Sequence, residues 1–281
     1  MAKLIGHRYG KAKVRVMKIL REAERHTLED VEVAVLLRGD FASSYTSGDN
    51  TRVVATDTIK NTINVLAKRH LAQEIERLGV TIGEHFLQRY PQVETVEIEI
   101  TERPWKRMEI EGKPHPHSFE ADGEARMFTR VICRRGARTI ESGIRDLLIL
   151  KSTGSGFENY PKDEFTTLPE TADRILATSL RATWTFKDQP DDYTQANAAI
   201  LSAMRKIFAT TYSPSAQTTL FQMGEAALAV CPEISKLELA MPNKHCLLIN
   251  LTPFGLENKN EVFVPTDEPH GQIEATIVRD D

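Results

Sequence analysis

The chain has 281 residues, 41% of them hydrophobic and 27% charged, the proportions of an ordinary globular protein. These values exclude a disordered chain, a collagen-like fibre and a disulfide-stapled miniprotein, and the length suits roughly two domains of about 150 residues. With 36 basic and 40 acidic residues the formal charge is −4, so no positive field exists for a phosphate backbone and no nucleic-acid partner is expected.

Residues 12–20 alternate polar and apolar as a half-buried strand does, and residues 30–39 read as its antiparallel partner across the polar turn Arg21–Leu28. Thr56-Asp57 then opens an apolar-spaced stretch (Ile59, Ile63, Leu66), which reads as a helix capped by Asp or Thr. A second helix is expected over Leu71–Tyr90, where Ile75, Leu78, Ile82, Phe86 and Leu87 recur near 3.6-residue spacing before Pro91 stops it. Val93–Ile100 alternates as a strand. The stretch Glu102–Gly123 carries Pro104, Pro114 and Pro116 and reads as a surface excursion, placing the expected domains at 1–118 and 119–281.

The same order then recurs. Glu124–Arg134 and Ile144–Lys151 read as a second hairpin, Glu170–Leu176 as a helix, and Ala198–Phe208 and Thr218–Val230 as helical faces. Pro232 stops the last of these, and Ile234–Met241 alternates as a strand. Tyr90-Pro91-Gln92-Val93 is matched by Cys231-Pro232-Glu233-Ile234, and Asp57-Thr58 by Glu170-Thr171. The expected architecture is α+β, a duplicated β-β-α-α-β-β unit with antiparallel sheets and helices on one face.

Few motifs carry chemistry on their own. His115-Pro116-His117 has no neighbouring ligands to complete a metal shell, so a solvated loop accounts for it. Gly154-Ser155-Gly156 lacks the spacing of a phosphate loop, and Arg134-Arg135 suits a hairpin tip. Cys133, Cys231 and Cys246 show no CxxC spacing and signal neither a disulfide framework nor a zinc ribbon. No run approaches about 18 apolar residues, so no membrane span is expected. The polar opening and the final Ile277–Asp281 offer no signal peptide or peroxisomal tripeptide, and a cytoplasmic location is expected. What remains is polar residues at element ends. Pro242-Asn243-Lys244-His245 suits a hairpin tip, with His245 able to exchange protons near neutral pH. Ser213–Thr218 suits a helix cap, and Phe157 suits either loop packing or a stacking platform.

At these residues the sequence resembles the urate oxidase (uricase) family. The matching strings are Tyr9-Gly10-Lys11, Val53–Thr62, Leu150–Phe157, Thr166–Leu176, Gln217 within Ser213–Met223, Pro242–His245 and Asn260–Phe263, in the family's order along nearly the whole chain. The resemblance implies tandem T-fold (tunnelling-fold) units closing into a β-barrel tunnel, and a homotetramer with active sites at subunit interfaces. It implies oxidation of urate by O2 and water to 5-hydroxyisourate and hydrogen peroxide, with no metal and no organic cofactor. Urate is a flat anion edged by carbonyl and N–H groups. Arg174 would grip one edge bidentately and Gln217 another, while Phe157 would stack on the ring. Backbone N–H groups near Asp57 and Ala216 would complete the rim. By the same resemblance Lys11 is the base acting through the Thr56 hydroxyl, His245 extends the proton relay, and Asn243 with Thr56 holds dioxygen or water above the ring.

Position 216 is Ala where the family often carries a larger β-branched residue. Only its backbone N–H would act, so altered packing and KM are expected, with the chemistry retained. Two alternatives belong to other classes. Another T-fold enzyme acting on a pterin or purine nucleotide would need, if zinc-dependent, Cys and His ligands that this sequence does not arrange. A catalytically silent purine-binding module would have no use for Lys11, Thr56, Asn243 and His245 together.

Overall fold

The computed structural model describes residues 2–22, 24–72 and 74–280, which gather into two units. One comprises Met1–Gly143 with Thr185–Thr194, the other Ile144–Trp184 with Gln195–Asp281. The 118/119 junction therefore falls inside the first unit.

The first unit opens with β1 (Tyr9–Arg21) and β2 (His26–Gly39), the expected hairpin extended at both ends. A short helix α1 (Ala42–Thr46) leads to α2 (Thr56–His70) and α3 (Ile75–Arg89), followed by β3 (Val93–Glu102). The expected excursion is instead a two-stranded hairpin, β4 (Trp105–Ile110) with β5 (Lys113–Ala121). Arg107 secures it, donating to the carbonyls of His115, Pro116 and His26. The prolines are tolerated because β4 and β5 form a small sheet with free edges. β6 (Arg126–Arg134) then pairs with β3 from Thr95↔Arg134 to Thr101↔Phe128, and β7 (Ala137–Lys151) follows, giving the order β1-β2-β3-β6-β7. β6 thus closes the first repeat and does not open the second.

Alternation buries one sheet face. Val31, Val33, Val35 and Leu37 of β2 and Val96, Ile98 and Ile100 of β3 are fully buried or nearly so. Helix α3 lies close on this face because it carries glycine at two positions four apart. A Cβ at Gly79 would stand 2.7 Å from Val131 Cγ2, and one at Gly83 would stand 2.4 Å from Cys133 Sγ. Burial of Leu78, Ile82 and Phe86 on the same helix stabilises the contact by roughly 1.5–3 kcal/mol per side chain.

The first unit also holds a carboxyl against its preference. Burial, with Glu76 and Glu29 nearby, pushes Glu102 up from 4.5 to about 7. A raised carboxyl costs nothing below pH 4.5, where both states bind the proton. The fold loses stability as pH climbs from 4.5 to about 7, by about 3 kcal/mol at completion. Glu102→Gln is therefore expected to raise stability at pH 8 by up to that amount and to change it little at pH 4.5. Denaturant titration at both values checks this, and an equal gain at both would refute it.

In the second unit β7 is followed by the 152–175 excursion, then β8 (Leu176–Phe186). The helices are α4 (Tyr193–Thr210), which begins in the first unit, and α5 (Ala216–Val230). β9 (Ile234–Ala240), β10 (Asn243–Leu248), β11 (Phe263–Gly271) and β12 (Glu274–Val278) complete it. β8 pairs with both β9 and β10, whose outer partners are β12 and β11. β9 and β10 thus behave as one strand interrupted at Met241-Pro242, since proline cannot donate to a ladder. Pro242–His245 is therefore the restart of a central strand and not a hairpin tip.

The repeat β-β-α-α-β-β holds when β7 and β8 are taken as its second opening pair. One letter match survives: Tyr90 and Cys231 are the C-caps of α3 and α5, and Val93 and Ile234 donate back to their carbonyls at 3.0 and 3.3 Å. The other does not, because 170–176 is no helix. The Thr171 hydroxyl bonds the Asp173 carbonyl at 2.7 Å and Thr171 bridges Phe157 in extended form, so local side-chain bonds displace helical ones.

Candidate active site

Lys11 sits half-buried in β1 beside a bulge. The ladder runs Lys11↔Val35 and then Val14↔Val33, and Lys13 takes φ +56° to absorb the extra residue. Bulges re-aim neighbouring side chains. Gly10 is required here, because a Cβ would stand 1.9 Å from the Val35 carbonyl oxygen. The Tyr9 ring packs edge-on against buried Phe41 at 4.9 Å, and its hydroxyl accepts from the Val54 N–H at 2.7 Å. That bond ties β1 to the segment entering α2, the two places where Lys11 and Thr56-Asp57 stand.

Thr56 and Asp57 are the first exposed residues of α2. The expected side-chain cap is absent: Ala55 holds the cap position and leaves the first-turn N–H groups without a side-chain acceptor. Lys60 and Asn61 grip the Asp57 carboxylate. Lys60, and to a smaller degree Lys11, hold that carboxyl below its usual range. The first unit therefore brings Lys11, Thr56 and Asp57 together.

In the second unit the 152–175 excursion carries Phe157 and Arg174. Phe157 and Thr171 exchange backbone hydrogen bonds at 2.7 and 3.1 Å, and Arg174 N–H donates to the Ser155 carbonyl at 2.7 Å. The Arg174 guanidinium carbon stands 5.5 Å from the centre of the Phe157 ring, which stacks on Tyr160 at 4.8 Å and 12°. Burial pushes the guanidinium down from its ordinary value without removing its charge, and Nε has no hydrogen-bond partner among the described residues. Across the excursion the carboxylate of Asp173 accepts from the Thr153 hydroxyl and the Gly154 N–H, bonds that hold it below the usual carboxylate range.

Ser213 links this excursion to α5, accepting from Gly156 N–H at 2.8 Å and donating to the Gly154 carbonyl at 2.9 Å. Ser215 is the cap of α5, its Oγ accepting from Thr218 N–H at 3.1 Å, as the polar entry suggests. Ala216 and Gln217 are the first two helical residues, so their N–H groups precede the first intrahelical bond. Ala216 is buried and Gln217 exposed.

Asn243 begins β10, paired with Thr178 on one side and Gly271 on the other. His245 lies two residues on, opposite Thr266. Both line a cleft of about 510 Å³ whose walls include Arg174, Ser152, Thr171 and Cys246. The second unit thus brings Arg174, Asn243 and His245 to one cleft, sets Phe157 against Arg174, and ties Ala216 and Gln217 to the same loop through Ser213. Sequence reasoning missed Tyr9 as the tie of α2, Asp173 as the clasp of the excursion, and Tyr160 behind Phe157. Their signal lay in the strings themselves, since Tyr9 adjoins Gly10-Lys11 and Asp173 adjoins Arg174. His115 and His117 pack edge-on at 4.6 Å on β5, and no metal-holding group of three or more His, Cys, Asp or Glu occurs among the described residues.

Comparison with known proteins agrees with this arrangement. The family model "Uricase" matches residues 7–132 and 140–274. The uricase of Dictyostelium discoideum is 41% identical over 99% of this chain and 98% of its own length, and that of Arthrobacter globiformis 40% identical over 98% and 89%. The crystal structure of the Arthrobacter globiformis uricase superposes with a TM-score of 0.93 at 38% identity, covering 99% of this chain and 96% of the other. The tandem antiparallel units are the T-fold arrangement the resemblance implies, and the chain belongs to the uricase family.

Proposed function

We propose that the chain is a urate oxidase that converts urate, O2 and water to 5-hydroxyisourate and hydrogen peroxide without metal or organic cofactor. The observation that carries this reading is the half-buried Arg174 sharing one cleft with Asn243 and His245. A planar fork in a partly desolvated setting suits the carbonyl and N–H edge of a purine anion. Gln217 reads a second edge, and Phe157, braced by Tyr160, offers its ring. The N–H groups at the starts of α2 and α5, near Asp57 and Ala216, complete the rim. Lys11, in its neutral amine form, accepts a proton from urate through the Thr56 hydroxyl and leaves a more reducing urate dianion. His245 extends the relay, and Asn243 holds dioxygen or water.

The enzyme works as a homotetramer whose barrels form from paired subunits. Lys11, Thr56 and Asp57 come from one subunit and Phe157, Arg174, Gln217, Asn243 and His245 from its partner. Exposed Leu148, Leu150 and Leu247 support association, since apolar side chains on a sheet favour a partner surface. A cytoplasmic location is supported by the three free cysteines, which suit a reducing compartment. Among the described residues no helix is long and apolar enough to cross a membrane.

The test is loss of urate absorbance in the ultraviolet with stoichiometric peroxide. Purified protein dialysed against chelator is expected to keep its full rate. Activity that appears only on adding a transition metal would refute the cofactor-free reading.

A further inference from the structure

We propose that Asp173 is the positioning residue of the substrate clamp, fixing where Arg174 presents its guanidinium by clasping the two ends of the 152–175 excursion. The inference rests on the reading of Arg174 as a urate-binding side chain. The Asp173 carboxylate accepts from Thr153 Oγ1 at 3.0 and 2.9 Å and from Gly154 N–H at 2.7 Å. The next residue, Arg174, donates its N–H to the Ser155 carbonyl at 2.7 Å. Residues 173 and 174 are thereby locked in order to residues 153, 154 and 155.

The clasp reaches further than Arg174. Gly154 takes φ +72°, a left-handed conformation that glycine adopts freely and leaves as freely, so an external anchor is needed to hold it. Its carbonyl accepts from Ser213 N–H, and Gly156 N–H donates to Ser213, so the entry of α5 takes its register from the same residues. The Tyr212 hydroxyl donates to the Ala172 carbonyl at 3.0 Å and braces the outer side. Beyond its backbone bond to Ser155, the Arg174 side chain meets the Phe157 ring, its guanidinium carbon 5.5 Å from the ring centre. Its Nε lacks a partner among the described residues, and Asp173 forms no ion pair with it there. Asp173 therefore acts by geometry. A bidentate grip depends on direction, and a small displacement of its base is enough to weaken it.

Four variants test this by steady-state kinetics on urate and by calorimetric binding of xanthine, an unreactive purine-dione. Asp173→Ala is expected to raise KM and the xanthine Kd about 10-fold, with kcat within about threefold of the parent. Asp173→Asn is expected to stay within about threefold throughout, because its Oδ1 still accepts from Gly154 and its Nδ2 can donate to Thr153. Arg174→Ala should raise KM by 10-fold or more, as loss of a charge-assisted grip does, and adding Asp173→Ala should raise it no further. Unchanged KM and Kd in Asp173→Ala, an Asn variant as impaired as the Ala variant, or fully additive losses would each overturn the proposal. If Asp173→Ala does not fold, Thr153→Val replaces it: a severalfold KM rise with kcat kept supports the clasp, and an unchanged KM refutes it. The two readings fail differently. A parent protein that leaves urate untouched, or Arg174→Ala with unchanged KM, defeats the assigned function. The xanthine Kd of Asp173→Ala still reports on the clasp in that case.

Discussion

Thr56→Ala is expected to lower kcat by roughly 10²–10⁴, the ordinary range for lost general acid–base catalysis, which is about 3–5 kcal/mol of barrier. The fold gives no reason for collateral damage. Thr56 is exposed at the first position of α2, and the cap of that helix is Ala55, so the hydroxyl satisfies no helix donor. Alanine is also the stronger helix former, so thermal stability should hold or rise slightly. Binding of an unreactive purine anion should survive, because Arg174 and Gln217 are the side chains proposed to supply the grip. Lys11→Met should fall by a similar factor, and the double variant should be no slower than the worse single one, as residues acting as a unit are. Stopped-flow turnover beside xanthine binding separates the outcomes. A Thr56→Ala enzyme within about threefold of the parent kcat would remove the hydroxyl from the proton path.

How much of this was legible beforehand varied with how local the determinant is. The β1–β2 hairpin and helices α2, α3 and α5 followed from periodicity, because each buries one face against a sheet and the apolar spacing records that burial. The helix expected over 170–176 failed because Thr171 and Asp173 spend their side chains on nearby backbone and on Thr153 and Gly154, partners about twenty residues away that no local window contains. The tip expected at Pro242–His245 failed for a related reason. A proline followed by Asn reads as a turn, but here it interrupts a strand held on both sides by β8 and by β11–β12, and only the sheet topology reveals those neighbours. Among site residues, the resemblance selected Lys11, Thr56, Asp57, Arg174, Ala216 and Gln217, whereas composition and spacing alone raised only Phe157 and the stretches Ser213–Thr218 and Pro242–His245 as candidates. The bulge at Lys11 and the Tyr9–Val54 bond link the first two strings: Gly10 lets β1 lie close against β2 beside Lys11, and Tyr9 ties that strand to the segment entering α2.

Mixing two inactive variants should restore activity if the site is shared between subunits. Lys11→Met lacks the proposed base and Arg174→Ala lacks the proposed grip, so neither homo-oligomer should turn over urate at more than a small fraction of the parent rate. Consider an interface formed by one chain of each kind. One of its two sites combines both lesions, and the other combines an intact Lys11 with an intact Arg174. For a symmetric pair formed at random from equal amounts, half the interfaces are mixed, so about a quarter of all sites should be whole. Co-expression with two different affinity tags, followed by sequential purification, removes the unmixed oligomers; in a tetramer of two such pairs the rate should then be roughly a quarter to a third that of the parent. KM in this preparation should equal the parent value, because every working site carries unaltered residues. A mixed oligomer confirmed by native mass spectrometry that shows no recovered turnover would place Lys11 and Arg174 in one subunit, and the interface would then need another reason to exist.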